Sequence, residues 1–257
     1  MTGLRTADIL AELATVGPMA AWPGHLVEGC RNATTVSGVG LAVMSAAAVG
    51  SVLAATEGLA RAMEDLQFLL GEGPCVDAVA SRRPVLVPDL TRQAGARWPA
   101  FSAGAVDRGV VASFAFPLHV GAVTIGVLDL YEESRGPLDD FQLSTALAYA
   151  DAATAVLLHL QYGRLEDVEG GARATSPLAE VVDRRAVVHQ ATGMISVQLD
   201  VGLAAALLRL RAHAFATDRS VLELAGDVVA RRLRFDHSAA GTVAPPPSTA
   251  AADEESS

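Results

Sequence analysis

The strongest constraint on the fold lies between residues 111 and 131. VASFAFPLHV (Val111–Val120) and AVTIGVLDLY (Ala122–Tyr131) are apolar runs rich in β-branched and aromatic residues, separated by Gly121 alone. Alternation in the first run fits a strand, and one glycine between two such runs leaves room only for a tight turn. The pair predicts an antiparallel hairpin. Pro117 has no N–H to give to a ladder, so the first strand is expected to meet a sheet edge or a bulge there.

The elements around the hairpin supply the rest of a sheet and its cover. Val36–Ala55 is twenty residues without a charge, long enough to cross a bilayer. Ala, Gly, Ser and Val dominate it, however, and Val39, Leu41 and Val43 alternate with small residues. Gly50, Val52 and Ala54 do so less cleanly. Two buried strands joined near Ala46–Ala48 account for this better than a membrane helix. Leu4–Ala14 and His25–Asn32 read as short helices, separated by Gly17-Pro18 and Pro23-Gly24. In Glu57–Leu70 the residues Leu59, Met63, Leu66 and Leu70 stand at helical spacing, and GEGPC (Gly71–Cys75) ends that helix. PVLVPDL (Pro84–Leu90) reads as a short strand, and Trp98 and Phe101 fall in a loop. Gly136–Leu160 is a long helix with Pro137 and two acids in its opening turn. Leu143, Leu147, Ala150, Thr154 and Leu157 follow a heptad rhythm that serves equally as a coiled-coil seam or as packing on a sheet.

This order predicts an α+β domain with a mostly antiparallel sheet over residues 1–163. A polar linker containing EGGARATS follows over 164–177. Ser176 offers an N-cap and Pro177 a first helical position. Residues 178–235 carry no strand signal and divide into three helices at Asp200-Val201-Gly202 and Thr217-Asp218-Arg219, with Ser220 and Glu223 as a capping box for the last. The remainder, 236–257, holds Pro245–Pro247 and ends in DEESS, and is expected to be disordered.

Charge separates the two modules. The chain carries −10 overall, and all 19 of its basic residues are arginine. Residues 178–235 hold eight arginines and six acids, a charge of +2. The rest holds 11 arginines and 23 acids, −12. A basic helical module on an acidic body is the asymmetry of a nucleic-acid reader, although a mild one. Cys30 and Cys75 are the two cysteines. Without a CxxC or Cys/His spacing they predict neither zinc nor a disulfide scaffold, and they fit a reducing interior. Acids at Asp8 and Glu12 interrupt what would be a signal-peptide core, so a cytoplasmic protein with no membrane anchor is expected.

On a helical wheel, residues 178–199 place Val181, Val188, Ile195 and Leu199 in one apolar stripe, widened by Val187, Ala191 and Met194. Opposite runs a row of Arg185, His189, Thr192 and Ser196, flanked by Ala186 and Gly193 with Gln190 just beyond. A guanidinium, an imidazole, hydroxyls and an amide suit phosphates and unstacked base edges. A helix-interior glycine costs about 1 kcal/mol relative to alanine, which close approach of a partner would offset. The same row also fits an ordinary wet face, and the glycine a neighbouring helix. In the second helix Leu203, Leu207, Leu210 and Ala214 form the core stripe, leaving Arg209 and Arg211 pointing away. Arg231, Arg232 and Arg234 fall in the last turn of the third helix, where they suit its dipole without a ligand.

HQATGMISVQLDVGLAAALLRLRAHAFATDRSVLELAGDVVARRL (His189–Leu233) resembles the ANTAR family, a three-helix RNA-binding module of transcription antitermination regulators. The resemblance rests on Gln190-Ala191-x-Gly193, Ala206, Leu210-Arg211, Ala214, Leu222 and Ala225. LQFLLGEGPCVDAVASRRPVLVPDL (Leu66–Leu90) and SFAFPLHVGAVTIGVLDLY (Ser113–Tyr131) resemble a GAF sensor domain of the kind paired with ANTAR. Together they imply a dimeric, non-enzymatic RNA-binding regulator that prevents transcription termination by gripping twin RNA hairpins with six-base loops. They imply RNA contacts at Arg184, Arg185, His189, Gln190, Thr192, Gly193, Arg209 and Arg211. Many ANTAR sequences carry a lysine where Thr192 stands, so this chain lacks a charge there. No receiver-type aspartate pocket accompanies the GAF half. No cofactor or metal is expected, and a small-molecule GAF ligand is left open. Two alternatives stand beside this reading. One is a protein-interaction or dimerisation module without RNA. The other is a redox enzyme or sensor using Cys75, whose thiol a nearby helix start would acidify.

Overall fold

The computed structural model describes residues 5–45, 48–93, 96–170, 177–236 and 243–244. The chain divides into two compact units, Met1–Asp183 and Arg184–Ser257.

The first unit is built on a five-stranded sheet in the order β2-β1-β5-β4-β3. Its strands are β1 (Gly38–Ser45), β2 (Ala48–Ala55), β3 (Val85–Val87), β4 (Ala112–Val120) and β5 (Val123–Glu132). Every pairing is antiparallel. The hairpin predicted at Gly121 is β4–β5, and the uncharged stretch is the β1–β2 hairpin. Pro117 lies beyond the three residues of β4 that β3 covers, and a register shift follows at Leu118/His119. The proline therefore meets both a local edge and a bulge.

Alternation along the strands sends side chains to two separate cores. Val39, Leu41 and Val43 of β1, Phe114, Phe116 and Leu118 of β4, and Leu128 and Leu130 of β5 face α1 (Thr6–Leu13), α2 (Trp22–Thr34) and α7 (Asp140–Gly170). The opposite face packs under α3 (Leu59–Leu70), α4 (Pro74–Ser81), the single turn α5 (Leu90–Gln93) and α6 (Pro99–Asp107). The heptad rhythm of α7 serves the sheet: Ala150 and Leu157 are buried in the first core with Ala146, Ala153 and Val156, whereas Leu147 is exposed. Asp139 and Gln142 cap this helix reciprocally, each side chain accepting the other's backbone N–H at 2.7 and 3.0 Å. By length and composition Asp140–Leu160 is apolar enough to cross a membrane, and much of it is buried.

Several boundaries differ from the sequence expectation. Pro23-Gly24 lies inside the first turn of α2, where a missing proline N–H costs nothing, and does not separate helices. The predicted loop holding Trp98 and Phe101 is the start of α6: Trp98 is its N-cap and Pro99 opens it. Glu72 of the GEGPC break accepts the N–H groups of Ala100 and Phe101 at 2.8 and 2.9 Å, satisfying that helix end. Helix α7 continues to Gly170, through the first half of the predicted linker; residues 171–176 of that linker lie outside the described residues.

The three expected helices are α8 (Pro177–Leu199), α9 (Leu203–Thr217) and α10 (Val221–Val229); the second unit holds α9, α10 and α8 from Arg184 onward. Val188, Ala191, Ile195, Leu199, Ala206, Leu210, Ala214, Val221, Leu224, Ala225 and Val228 are its buried apolar residues within the helices. Ser220 and Glu223 form the predicted capping box. The tail is not wholly without structure, since β7 (Val243–Ala244) pairs antiparallel with β6 (Arg234–Phe235). The remaining residues assigned to a disordered tail, beyond Asp236, lie outside the described residues.

Candidate functional site

In the first unit, helix α3 lays a charged and an amide side chain onto a sheet face. Glu64 and Gln67, one turn apart, point the same way as Ala60 and Met63 and are buried. Beneath them the register aligns Gly40 of β1, Asp129 of β5 and Ala115 of β4 in one row, and Gly38, Tyr131 and Ser113 in the next. Asp129, Tyr131 and Ser113 are fully buried. A Cβ at position 40 would overlap Glu64 Oε1, so the glycine makes the space that the carboxyl fills.

A hydrogen-bonded chain links these groups. The Tyr131 hydroxyl donates to Glu64 Oε1 at 2.9 Å, and Gln67 Nε2 donates to the Tyr131 oxygen at 2.8 Å. Gln67 Oε1 accepts the Cys75 N–H at 3.0 Å, tying α3 to the first turn of α4. Gly73 permits this approach: its φ is 133°, and a Cβ there would stand 2.6 Å from Gln67 Oε1. The GEGPC motif thus has a positional role for each of Glu72, Gly73 and Cys75.

Burial dominates the electrostatics. It raises Glu64 from the ordinary 4.5 to about 7, against the lowering effect of the Tyr131 hydrogen bond. Burial, and then the neighbouring Glu64, raise Asp129 well above its ordinary range. Two carboxyls side by side without solvent cannot both ionise, so the pair retains a proton at neutral pH. The hydrogen bond between the two carboxyls raises Asp129 and lowers Glu64, so Asp129 carries the shared proton and donates it to Glu64; among the described residues nothing reaches the Ser113 hydroxyl.

Cys75 departs from the expected activation. It does stand in the first turn of α4, but it is fully buried, and desolvation together with Asp129 and Glu64 pushes its thiol up. Cys30 is likewise buried and raised to about 12. Neither has the environment of a nucleophile. Among the described residues no group of three His, Cys, Asp or Glu side chains is arranged to hold a metal.

In the second unit the predicted contact row is only partly on the surface. His189 and Gln190 are exposed, and Gly193 is half-buried with nothing within 4 Å of where a Cβ would stand. Thr192 is buried, at 5% exposure, and its hydroxyl donates to the Val188 carbonyl at 2.7 Å. Its place on the contact row is thereby corrected: the hydroxyl is spent within its own helix. Ser196 donates to the Val201 carbonyl at 2.6 Å and finishes the helix end. The side chains of Arg184 and Arg185 lie outside the described residues. Arg209 is exposed. Arg211 is half-buried, with burial lowering its pKa, and so does not point away from the core as expected.

Two other expectations need correction. Leu203, assigned to the core stripe, is 63% exposed at the first position of α9. Helix α10 ends at Val229, so Arg231, Arg232 and Arg234 lie beyond its last turn. Arg231 there has a φ of 59°, and Arg232 bonds Asp227. The polar cluster in the first unit is absent from the sequence reading. Glu64 falls within the run Glu57–Leu70, and Asp129 and Tyr131 within Ala122–Tyr131, where no spacing marks them out.

The first unit is an antiparallel sheet with helices on both faces and a closed polar cluster beneath one of them. Residues 26–158 match the GAF domain, and the chain belongs to that family. Among solved structures it is similar to the GAF domain of a phosphoenolpyruvate-protein phosphotransferase from Acinetobacter. There the identity is 10% and the TM-score 0.48, covering 61% of this chain and 92% of that one. It is also similar to the cyanobacteriochrome TePixJ GAF domain, at 18% identity and a TM-score of 0.47, covering 58% and 95%. A free methionine-R-sulfoxide reductase from Neisseria meningitidis gives 17% identity and a TM-score of 0.42, covering 63% and 89%. No curated protein sequence matches the chain significantly.

Proposed function

We propose that this GAF-family protein is an RNA-binding regulator that prevents transcription termination. Its GAF unit senses a signal or holds a homodimer, and helices α8–α10 contact paired RNA hairpins. The observation that carries the reading is the surface at Gly193, beside the exposed His189 and Gln190. The unoccupied space over that glycine lets a partner approach the backbone closely. Exposed Arg209 supplies a guanidinium for phosphate. The resemblance of His189–Leu233 to ANTAR modules supports RNA as the partner. Two weakly binding modules in one dimer would gain avidity without new contacts. The protein acts without catalysis in the cytoplasm, and the inactive environment of Cys75 supports the first of these.

A gel-shift titration of the full chain with a twin stem-loop RNA tests this. Arg185→Ala combined with Arg209→Ala should weaken binding and flatten its dependence on salt. Unchanged affinity and slope would remove this face from consideration.

A second reading, dimerisation without RNA, draws on Leu208 and Phe215. They are seven residues apart on one side of α9, each about two-thirds exposed. Sedimentation with and without hairpin RNA separates the two.

A further inference from the structure

Between Ser81 and Trp98 stand four arginines, Arg82, Arg83, Arg92 and Arg97, against one acid, Asp89. The chain as a whole carries −10, so this is a local reversal of sign. The same stretch contains β3, the terminal strand of the sheet, which has β4 on one side only. A groove of about 350 Å³ lies against it, lined by Arg83, Val85, Leu86, Val87, Arg97 and Trp98 with their neighbours. Leu86 is 44% exposed at the centre of the strand.

The groove is built as well as charged. Trp98 is buried at 3% exposure and donates its Nε1–H to Asp77 Oδ2 at 3.2 Å. Arg97 lies over its ring, with the guanidinium carbon 4.6 Å from the centroid, and donates Nε–H to the same Asp77 oxygen at 2.6 Å. Asp77 therefore fixes Arg97 in the wall, and the guanidinium retains donors beyond the Nε–H already used. Arg83 is exposed at the strand's entrance. Flanking arginines and prolines often only protect an edge from aggregation, and Pro84 and Pro88 limit any added pairing to about the length of β3. Edge protection does not account for an arginine held in place by an aromatic ring and a carboxylate.

The geometry points to a docking site for an extended acidic peptide segment of a partner protein, added to the free edge of β3 with carboxylates against Arg83 and Arg97. A strand edge offers alternating N–H and C=O groups. A polypeptide repeats both at the spacing of the edge, whereas a free anion matches the N–H alone and RNA carries no donor–acceptor repeat at strand spacing. Pairing over three residues with two partly exposed ion pairs implies weak, micromolar-range binding.

The test uses the full chain and a fluorescein-labelled peptide, acetyl-Thr-Glu-Val-Glu-Val-Glu-Thr-amide, followed by fluorescence anisotropy. Binding is expected at low salt and should weaken as salt rises. Arg83→Glu and Arg97→Glu should each lower affinity roughly tenfold. N-methylation of alternate amides along one edge of the peptide should abolish binding, and methylation along the other edge should leave it intact. Arg97→Glu also loses the bond to Asp77, so Arg83→Glu, at an exposed position, decides the matter if the first variant unfolds. Four results would overturn the proposal: no binding in the micromolar range, equal binding by both methylated peptides, indifference to Arg83→Glu, or displacement of the peptide by an RNA hairpin that shows the same arginine dependence.

Discussion

Glu64 occupies the space that a side chain at position 40 would need, and Gly40 sits directly across the β1–β5 ladder from Asp129. The glycine thus admits one carboxyl beside another in a dry core. Gly40→Ala is expected to destabilise the GAF unit by about 1–3 kcal/mol through overpacking, read as a lower urea midpoint. In a Glu64→Ala background the same substitution should cost at least about 1 kcal/mol less, because the clashing group is gone. Equal costs in both backgrounds would show that the two residues do not share this space.

The carboxyl pair gives stability a pH dependence of definite sign. Glu64 is raised from 4.5 to about 7, so between those values the folded state holds a proton that the unfolded state has released. Stability therefore falls as pH rises through that window, by roughly 3 kcal/mol at about 1.4 kcal/mol per pKa unit. The raised Asp129 adds a decline of its own that begins near its ordinary 3.8 and runs upward through the same window. Glu64→Gln keeps an acceptor for the Tyr131 hydroxyl and should reduce the slope between pH 4.5 and 7, leaving the share that buried Asp129 contributes. Parallel curves for the two proteins would refute the assignment.

How far these features were legible in the sequence depends on periodicity. The β4–β5 and β1–β2 hairpins, α3 and the three helices of the second unit announce themselves through alternation, helical spacing and caps. Helix α6 does not, because Pro99-Ala-Phe-Ser-Ala-Gly-Ala has a weak apolar pattern and its start is satisfied from afar by Glu72. The Glu64–Asp129 pair was invisible for a similar reason. It depends on β1–β5 register and on a glycine 89 residues from its cross-strand partner. Thr192 misled the wheel because a small hydroxyl can turn back onto its own helix and pack inward.

Both thiols should be inert in the native protein. Cys30 and Cys75 are fully buried, and desolvation raises both above the ordinary thiol value. Iodoacetamide at mildly alkaline pH is expected to leave them unmodified in buffer and to label both in urea, as read by intact mass. Selective labelling of Cys75 without denaturant would revive the thiol-based alternative.

Thr192 and Gln190 separate packing from contact on α8. Thr192→Val replaces a buried hydroxyl that bonds the Val188 carbonyl of the same helix, so it should alter stability by less than about 1 kcal/mol. Hairpin affinity should not move. Gln190→Ala removes an exposed amide and should lower it several-fold. The reverse ranking would place the RNA surface elsewhere.

Asp227 ties the approach to α10 to its exit. Its Oδ2 accepts from Arg219, before the Ser220 cap, at 2.7 Å, and its Oδ1 accepts from Arg232, beyond the helix end, at 2.9 Å. Those two guanidiniums hold its pKa below the ordinary 3.8, a shift opposite in sign to that of Glu64. The stability it contributes is complete above the unfolded value and is lost as pH falls through the folded one. The arginines are partly exposed, so screening limits the contribution to about 1 kcal/mol or less. Asp227→Asn should raise amide exchange in α10 at neutral pH, with the difference from wild type shrinking in high salt and disappearing as Asp227 protonates in acid. Because Arg232 is already engaged by this carboxylate, Arg232→Ala should reproduce part of the exchange effect while leaving hairpin affinity unchanged. A loss of RNA binding in Arg232→Ala with no change in exchange would reassign that arginine from the helix end to the ligand.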